Sequence, residues 1–68
     1  MAKDSIRDIL AAFHNSTMDN AAIAKARAAL RKHSSNEDAI TSWLTHVASE
    51  VGDVGAFQRI IASGRAVA

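Results

Sequence analysis

The side chains best suited to binding a metal ion are those of His14, His33 and His46. Helical zinc sites place their histidines at regular spacings, such as one helical turn apart on the same face. No two of these histidines stand at such a spacing, and the chain contains no cysteine. We therefore expect histidines at the surface or at helix boundaries, and we expect no metal ion or other cofactor.

Two neighbouring carboxylates, Glu37 and Asp38, are the first candidates for acid–base catalysis. Adjacent residues of a helix point about 100° apart, so these two side chains would not share one site. A role in capping the start of a helix explains both acids. The sequence shows no glycine-rich phosphate loop and no serine–histidine–aspartate arrangement. We therefore expect a protein that is not an enzyme.

The spacing of apolar side chains indicates which elements position these groups. Apolar residues recur at intervals of three and four, as in Ile6, Ile9 and Phe13, and this spacing places them on one face of a helix. Proline is absent, and the only glycines are at positions 52, 55 and 64. We predict a single all-α domain spanning residues 1–68. It is a small bundle of four short helices at about residues 5–14, 20–33, 36–51 and 54–63.

The larger apolar residues are expected to fill one core between these helices. A chain this short buries only about 60% of the surface that its unfolded form exposes, so its stability is marginal. Since disulfides are absent, association is the expected source of additional stability, and dimerisation would complete the bundle. The predicted core residues are Ile6, Ile9, Leu10, Phe13, Met18, Ile23, Leu30, Ile40, Trp43, Leu44, Val47, Val51, Val54, Phe57, Ile60 and Ile61.

Polar residues and glycines mark the expected ends of the helices. Capping boxes are predicted at Ser5 with Asp8, and at either Ser34 with Glu37 or Ser35 with Asp38. Thr17, Asp19 and Asn20 can each cap the second helix, and Asp53 can cap the fourth. Gly52 and Gly64 are placed to end the third and fourth helices.

The overall charge favours no particular class of macromolecule. Eight basic and seven acidic side chains give a formal net charge of +1, which does not predict nucleic-acid binding from electrostatics alone. No uncharged apolar run approaches the roughly 18 residues of a membrane span, and the first residues lack the apolar stretch of a secretory signal. We expect a cytoplasmic protein that does not bind a membrane.

The second helix carries a surface suited to close contact with another helix. Ala21, Ala24 and Ala28 form a stripe opposite the apolar anchors Ile23 and Leu30. Small side chains allow a partner helix to approach, and positive charges beside them can pair with acids on that partner. Solvated flanks on a helix made of strong helix formers explain the same residues. The predicted partner-binding residues are Ala21, Ala24, Lys25, Arg27, Ala28, Arg31 and Lys32.

In residues 47–64, the spacing of small and apolar residues around a glycine is typical of a second kind of binding motif. Ala48 precedes Gly52 by four positions, Val47 and Val51 lie beside them, and Ile61 follows near the end of the next helix. This arrangement resembles a degenerate helix-turn-helix. The resemblance implies DNA contacts by Gln58, Arg59, Ser63 and Arg65. A helical hairpin that turns at Gly52 explains the same residues.

Two functional hypotheses follow from these patterns. The first is a small non-catalytic helical interaction protein, a regulator, adaptor or inhibitor, that binds another protein as a homodimer. Such a protein would be similar in character to the small inhibitors that phages direct at host proteins, which is an analogy only. The alternative is a DNA-binding transcriptional regulator that uses the helix-turn-helix at residues 47–64.

Overall fold

Four helices form the described part of the chain. The computed structural model describes the backbone of residues 5–67 and the side chains of residues 5–64. The helices are α1 (Ile6–His14), α2 (Asn20–Leu30), α3 (Glu37–Val51) and α4 (Val54–Val67). The prediction of an all-α bundle of four short helices is therefore confirmed.

Within residues 5–67, no helix combines the length and the apolar character needed to cross a membrane.

Side-chain caps start each helix, but one of them differs from the prediction. Ser5 and Asp8 form the predicted capping box, and Asp19 caps α2 by accepting a hydrogen bond from the backbone N–H of Ala22. Neither serine pair caps α3. Asn36 does so instead, since its side-chain oxygen accepts hydrogen bonds from the N–H groups of Asp38 and Ala39 at 3.0 and 3.2 Å. The Ser34 hydroxyl accepts a hydrogen bond from the Asn36 N–H at 3.1 Å in the turn before the helix.

The turn between α3 and α4 forms as the sequence predicts. Gly52 has a φ of 82°, the left-handed conformation that glycine adopts without steric cost. Its N–H donates to the carbonyl oxygen of Ala48 at 2.9 Å. Asp53 then caps α4 by accepting a hydrogen bond from the N–H of Ala56 at 2.9 Å. The two helices are consequently joined by a short and well-defined hairpin turn.

Two predicted helix ends are wrong. The α-helical part of α2 stops at Leu30 rather than near residue 33, because the next residues form a tighter turn in which the His33 N–H donates to the Leu30 carbonyl. The fourth helix continues through Gly64 to Val67. Gly64 is therefore not a terminator. A Cβ at this position would lie 3.2 Å from both Arg27 Nη2 and Thr41 Oγ1, so the glycine permits close packing.

The core is centred on α3, which contacts each of the other three helices. Most predicted core residues are buried or half-buried, but Val51, Val54 and Phe57 are 46%, 66% and 39% exposed. Ala48 and Ala56 are fully buried in their place. Small side chains allow α3 and α4 to approach closely, and this packing directs the neighbouring larger residues to the edge. The fully buried or nearly buried core comprises Ile9, Phe13, Met18, Ile23, Ala26, Leu30, Ile40, Leu44, Val47, Ala48, Ala56 and Ile60.

Candidate functional site

The surface predicted on α2 is only partly available to a partner. Ala21, Ala24 and Ala28 are exposed, and so are Lys25 and Lys32. These five residues face solvent in the way that the sequence pattern suggests. The two arginines predicted to lie beside them are engaged within the fold.

Arg27 is buried, which corrects its predicted place on the margin of a binding surface. Its side chain is only 4% exposed. Its Nη1 donates to Glu37 Oε1 at 3.3 Å, and its Nη2 donates to Thr41 Oγ1 at 2.8 Å and to the carbonyl oxygen of Ile60 at 3.3 Å. These bonds join α2 to both α3 and α4, and the missing side chain of Gly64 leaves room for them. Arg27 therefore holds the bundle together.

Arg31 remains at the surface but is paired with Glu37. Its Nε lies 2.9 Å from Glu37 Oε2, and its Nη2 lies 3.0 Å from Glu37 Oε1, a two-pronged arrangement. The hydrogen bonds from Arg31 lower the pKa of Glu37, and the charges of Arg31 and Arg27 lower it further. The same hydrogen bonds raise the pKa of Arg31. The carboxylate considered for catalysis is thus the counter-ion of two arginines.

The residues implied by the helix-turn-helix resemblance do not form a single open surface. Gln58 is exposed, whereas Ser63 is half-buried. The guanidinium group of Arg59 donates two hydrogen bonds to the carbonyl oxygen of Met18, at 2.7 and 3.3 Å. Arg65 lies beyond the described side chains. A DNA contact by Arg59 would therefore require its bonds to Met18 to break.

The histidines do not assemble into a ligand set among the described residues. All three are exposed. His46 Nε2 lies 3.8 Å from Glu50 Oε1, one turn further along α3. In residues 5–64, no group of three histidine or acidic side chains is close enough to hold a metal ion.

A surface groove between α3 and α4 brings together residues that the sequence did not place in a site. It has a volume of about 350 Å3 and begins at the hairpin turn. It exposes the large apolar side chains of Val54 and Phe57, which the apolar spacing of α4 predicts to be in the core. The residues that line the groove are Ala48, Ser49, Gly52, Asp53, Val54 and Phe57.

A second groove, of about 280 Å3, runs between α1 and α2. Lys25 and Asp8 are among the residues that line it. The large apolar residues of this groove, Ile9 and Phe13, are already buried within the fold, with exposures of only 7% and 3%. Among the described residues, no large exposed apolar side chain lines this groove, whereas Val54 and Phe57 line the α3–α4 groove, which we take as the stronger candidate site.

Comparison with known proteins gives no relative from which a function could be transferred. No protein-family model matches the chain, and no curated protein and no solved structure matches it either. The geometry of the chain itself is therefore the basis of the functional proposal.

Proposed function

We propose that this protein is a non-catalytic helical interaction protein, a regulator, adaptor or inhibitor, that binds a protein partner through the α3–α4 groove. One observation carries this proposal. Val54 and Phe57 are 66% and 39% exposed and line the same groove. Large apolar side chains grouped at a concave surface are typical of sites that another protein covers.

The distribution of exposed apolar residues supports this choice of surface. Single exposed apolar residues are common and need no explanation. Here, however, the large hydrophobic residues that are exposed in the described structure are Val51, Val54 and Phe57, which all lie around the hairpin turn. Covering apolar surface stabilises a complex by roughly 25 cal/mol for each Å2 removed from water. Phe57 is the best anchor, since aromatic residues dominate the centres of protein interfaces.

DNA binding is less well supported by the arrangement of the cationic side chains. Arg27, Arg31 and Arg59 all make hydrogen bonds within the fold. Duplex binding depends on basic side chains that remain free to contact phosphates. An apolar groove at the hairpin turn is suited to a protein surface instead.

The proposal can be tested by photo-crosslinking at two exposed positions of α4. A photoreactive amino acid is placed at Val54, inside the groove, or at the exposed Ala62, outside it, and each variant is added to a nuclease-treated extract of the source cells. We expect a discrete protein adduct from position 54 and none from position 62. We also expect Phe57→Glu to abolish that adduct while the helical circular dichroism is retained.

Two results would contradict the proposal. Equal labelling from positions 54 and 62 would mean that the groove has no preferred partner. In a parallel extract without nuclease treatment, an adduct that forms only there and is unaffected by Phe57→Glu would favour the DNA-binding alternative.

A further inference from the structure

The surface around the hairpin turn combines apolar exposure with negative charge. Glu50 and Asp53 are the only charged residues between positions 47 and 58. They stand on either side of Gly52, next to the exposed apolar residues Val51 and Val54. We call this group, together with Phe57, the hairpin-end surface. A complementary partner would offer positive charge beside small side chains on which Val54 and Phe57 can pack closely.

The outer face of α2 has the complementary properties. Lys25 and Lys32 are exposed, and neither makes an ion pair within the described part of the chain. Lys25 lies along one edge of a stripe formed by Ala21, Ala24 and Ala28, and Lys32 follows on the same side in the turn after α2. The three alanines are exposed and small enough to admit a bulky side chain such as phenylalanine. The two surfaces of this one chain therefore match each other in charge and in the size of their side chains.

We infer that the occupant of the groove is a second copy of this chain, which presents the outer face of α2 to the hairpin-end surface. Phe57 and Val54 of one protomer pack on the alanines of its partner. Lys25 and Lys32 then face Glu50 and Asp53 across the contact. This inference rests on the proposed function, because it identifies the protein that the groove binds.

The required size of an interface explains why the contact is made twice. A stable complex buries about 800 Å2 on each partner, which is about a sixth of the 4561 Å2 of accessible surface of this chain. The few residues of the hairpin-end surface do not supply that area. Around a twofold axis each protomer contributes both its hairpin-end surface and its α2 face, so the contact forms twice and closes as a dimer.

Charge exchange between the two surfaces tests this arrangement. The first variant carries Glu50→Lys with Asp53→Asn, since asparagine can still cap α4. The second variant carries Lys25→Glu with Lys32→Glu. A control pair, Asp38→Lys and Arg7→Glu, alters exposed charges outside both surfaces. Sedimentation velocity over a range of concentrations and native mass spectrometry measure assembly at low ionic strength, and circular dichroism verifies folding.

We expect the wild-type chain to dimerise. Each of the two double variants alone should dimerise at least about ten-fold more weakly. Mixing the two variants should restore assembly as a heterodimer, because lysine again meets glutamate at both contacts. The control variants should dimerise as the wild type does. High salt should weaken the wild-type dimer and the mixed heterodimer alike.

Three results would overturn the inference. One is a wild-type chain that stays monomeric at high micromolar concentration. The second is a pair of variants that fails to form a heterodimer although each is folded. The third is assembly that grows without closing at two copies. If the chain is monomeric while Val54 still crosslinks to a different protein, the proposed function stands and only the identity of the occupant is wrong.

Discussion

The guanidinium group of Arg59, on α4, donates two hydrogen bonds to the backbone carbonyl oxygen of Met18, in the loop between α1 and α2. Met18 has a φ of 55°, a left-handed conformation that is unfavourable for a residue with a side chain. Its N–H donates to the Ser16 hydroxyl at 3.1 Å, and its side chain is 2% exposed. A hydrogen bond within the loop and two hydrogen bonds from α4 therefore hold this loop in place.

Replacing Arg59 should destabilise the fold much more than replacing its exposed neighbour. Arg59→Met leaves the Met18 carbonyl without its donors, and we expect the free energy of unfolding to fall by about 1–3 kcal/mol. Gln58→Met, the matched control, should change it by no more than about 0.5 kcal/mol. Urea denaturation followed by circular dichroism measures both. Equal effects would mean that the contact with Met18 contributes nothing.

The two glycines within α4 should respond in opposite directions to alanine. A Cβ at Gly55 would lie 3.4 Å from Arg59 Nη1 and Asp53 Oδ1, an ordinary contact, so Gly55→Ala should stabilise by up to about 1 kcal/mol through helix propensity. At Gly64 the Cβ would press on Arg27 Nη2, which is fixed by hydrogen bonds. Gly64→Ala should therefore lower the melting temperature. If Gly64→Ala instead raised the melting temperature as much as Gly55→Ala does, the side chain of Arg27 would be able to move aside without loss of stability.

Acidification should weaken the link between α2 and α3. The pKa of folded Glu37 lies below its ordinary value of 4.5, chiefly because of the hydrogen bonds from Arg31. The charged carboxylate stabilises the fold above that value, and this stabilisation is lost as the pH falls through the lowered pKa. Urea titrations between about pH 6 and pH 3 should show a steeper loss of stability in the wild type than in Glu37→Gln.

Part of the acid sensitivity should persist in the Glu37→Gln variant. The pKa of Asp19 is also lowered, first by the hydrogen bond from the Ala22 N–H and then by a hydrogen bond with Thr17. Its contribution has the same sign, since the charged form is the one that caps α2. An unchanged pH profile in Glu37→Gln would assign the whole effect to other carboxylates.

Two valines near the hairpin distinguish the core from the surface. Val47 is 6% exposed and Val54 is 66% exposed. Val47→Ala should lower the free energy of unfolding by about 2 kcal/mol, through lost burial and the space left behind. Val54→Ala should change it by less than about 0.5 kcal/mol. Similar losses of unfolding free energy for both variants would indicate that Val54 belongs to the core, as its spacing in the sequence suggests.

Sequence periodicity predicted the helices well because their number and type depend on local signals. The spacing of Ile6, Ile9 and Phe13, the cap at Asp53 and the left-handed turn at Gly52 all involve residues within a few positions of each other. The structure agrees at each of these points. Local chemistry was sufficient to divide the chain into four helices.

The candidate site could not be predicted in this way, because it depends on how closely the helices approach. Periodicity gives large apolar residues priority for the core, so it predicts that Val54 and Phe57 are buried. Full burial of Ala56 shows that a small residue occupies the centre of the α4 face instead. The burial of Arg27 likewise depends on Gly64, which is distant in sequence. Neither relationship can be recognised from the residues that neighbour Ala56 or Arg27 in the sequence.

The hydrogen bonds made by Arg27 also constrain when the protein can fold during its synthesis. Arg27 belongs to α2, which leaves the ribosome before α4, whereas the Ile60 carbonyl and the space at Gly64 belong to α4. Until α4 has emerged, Arg27 lacks the Ile60 carbonyl as an acceptor and the cover that α4 provides. The nascent first three helices should therefore stay loosely associated, and stable folding should begin only after α4 has been translated.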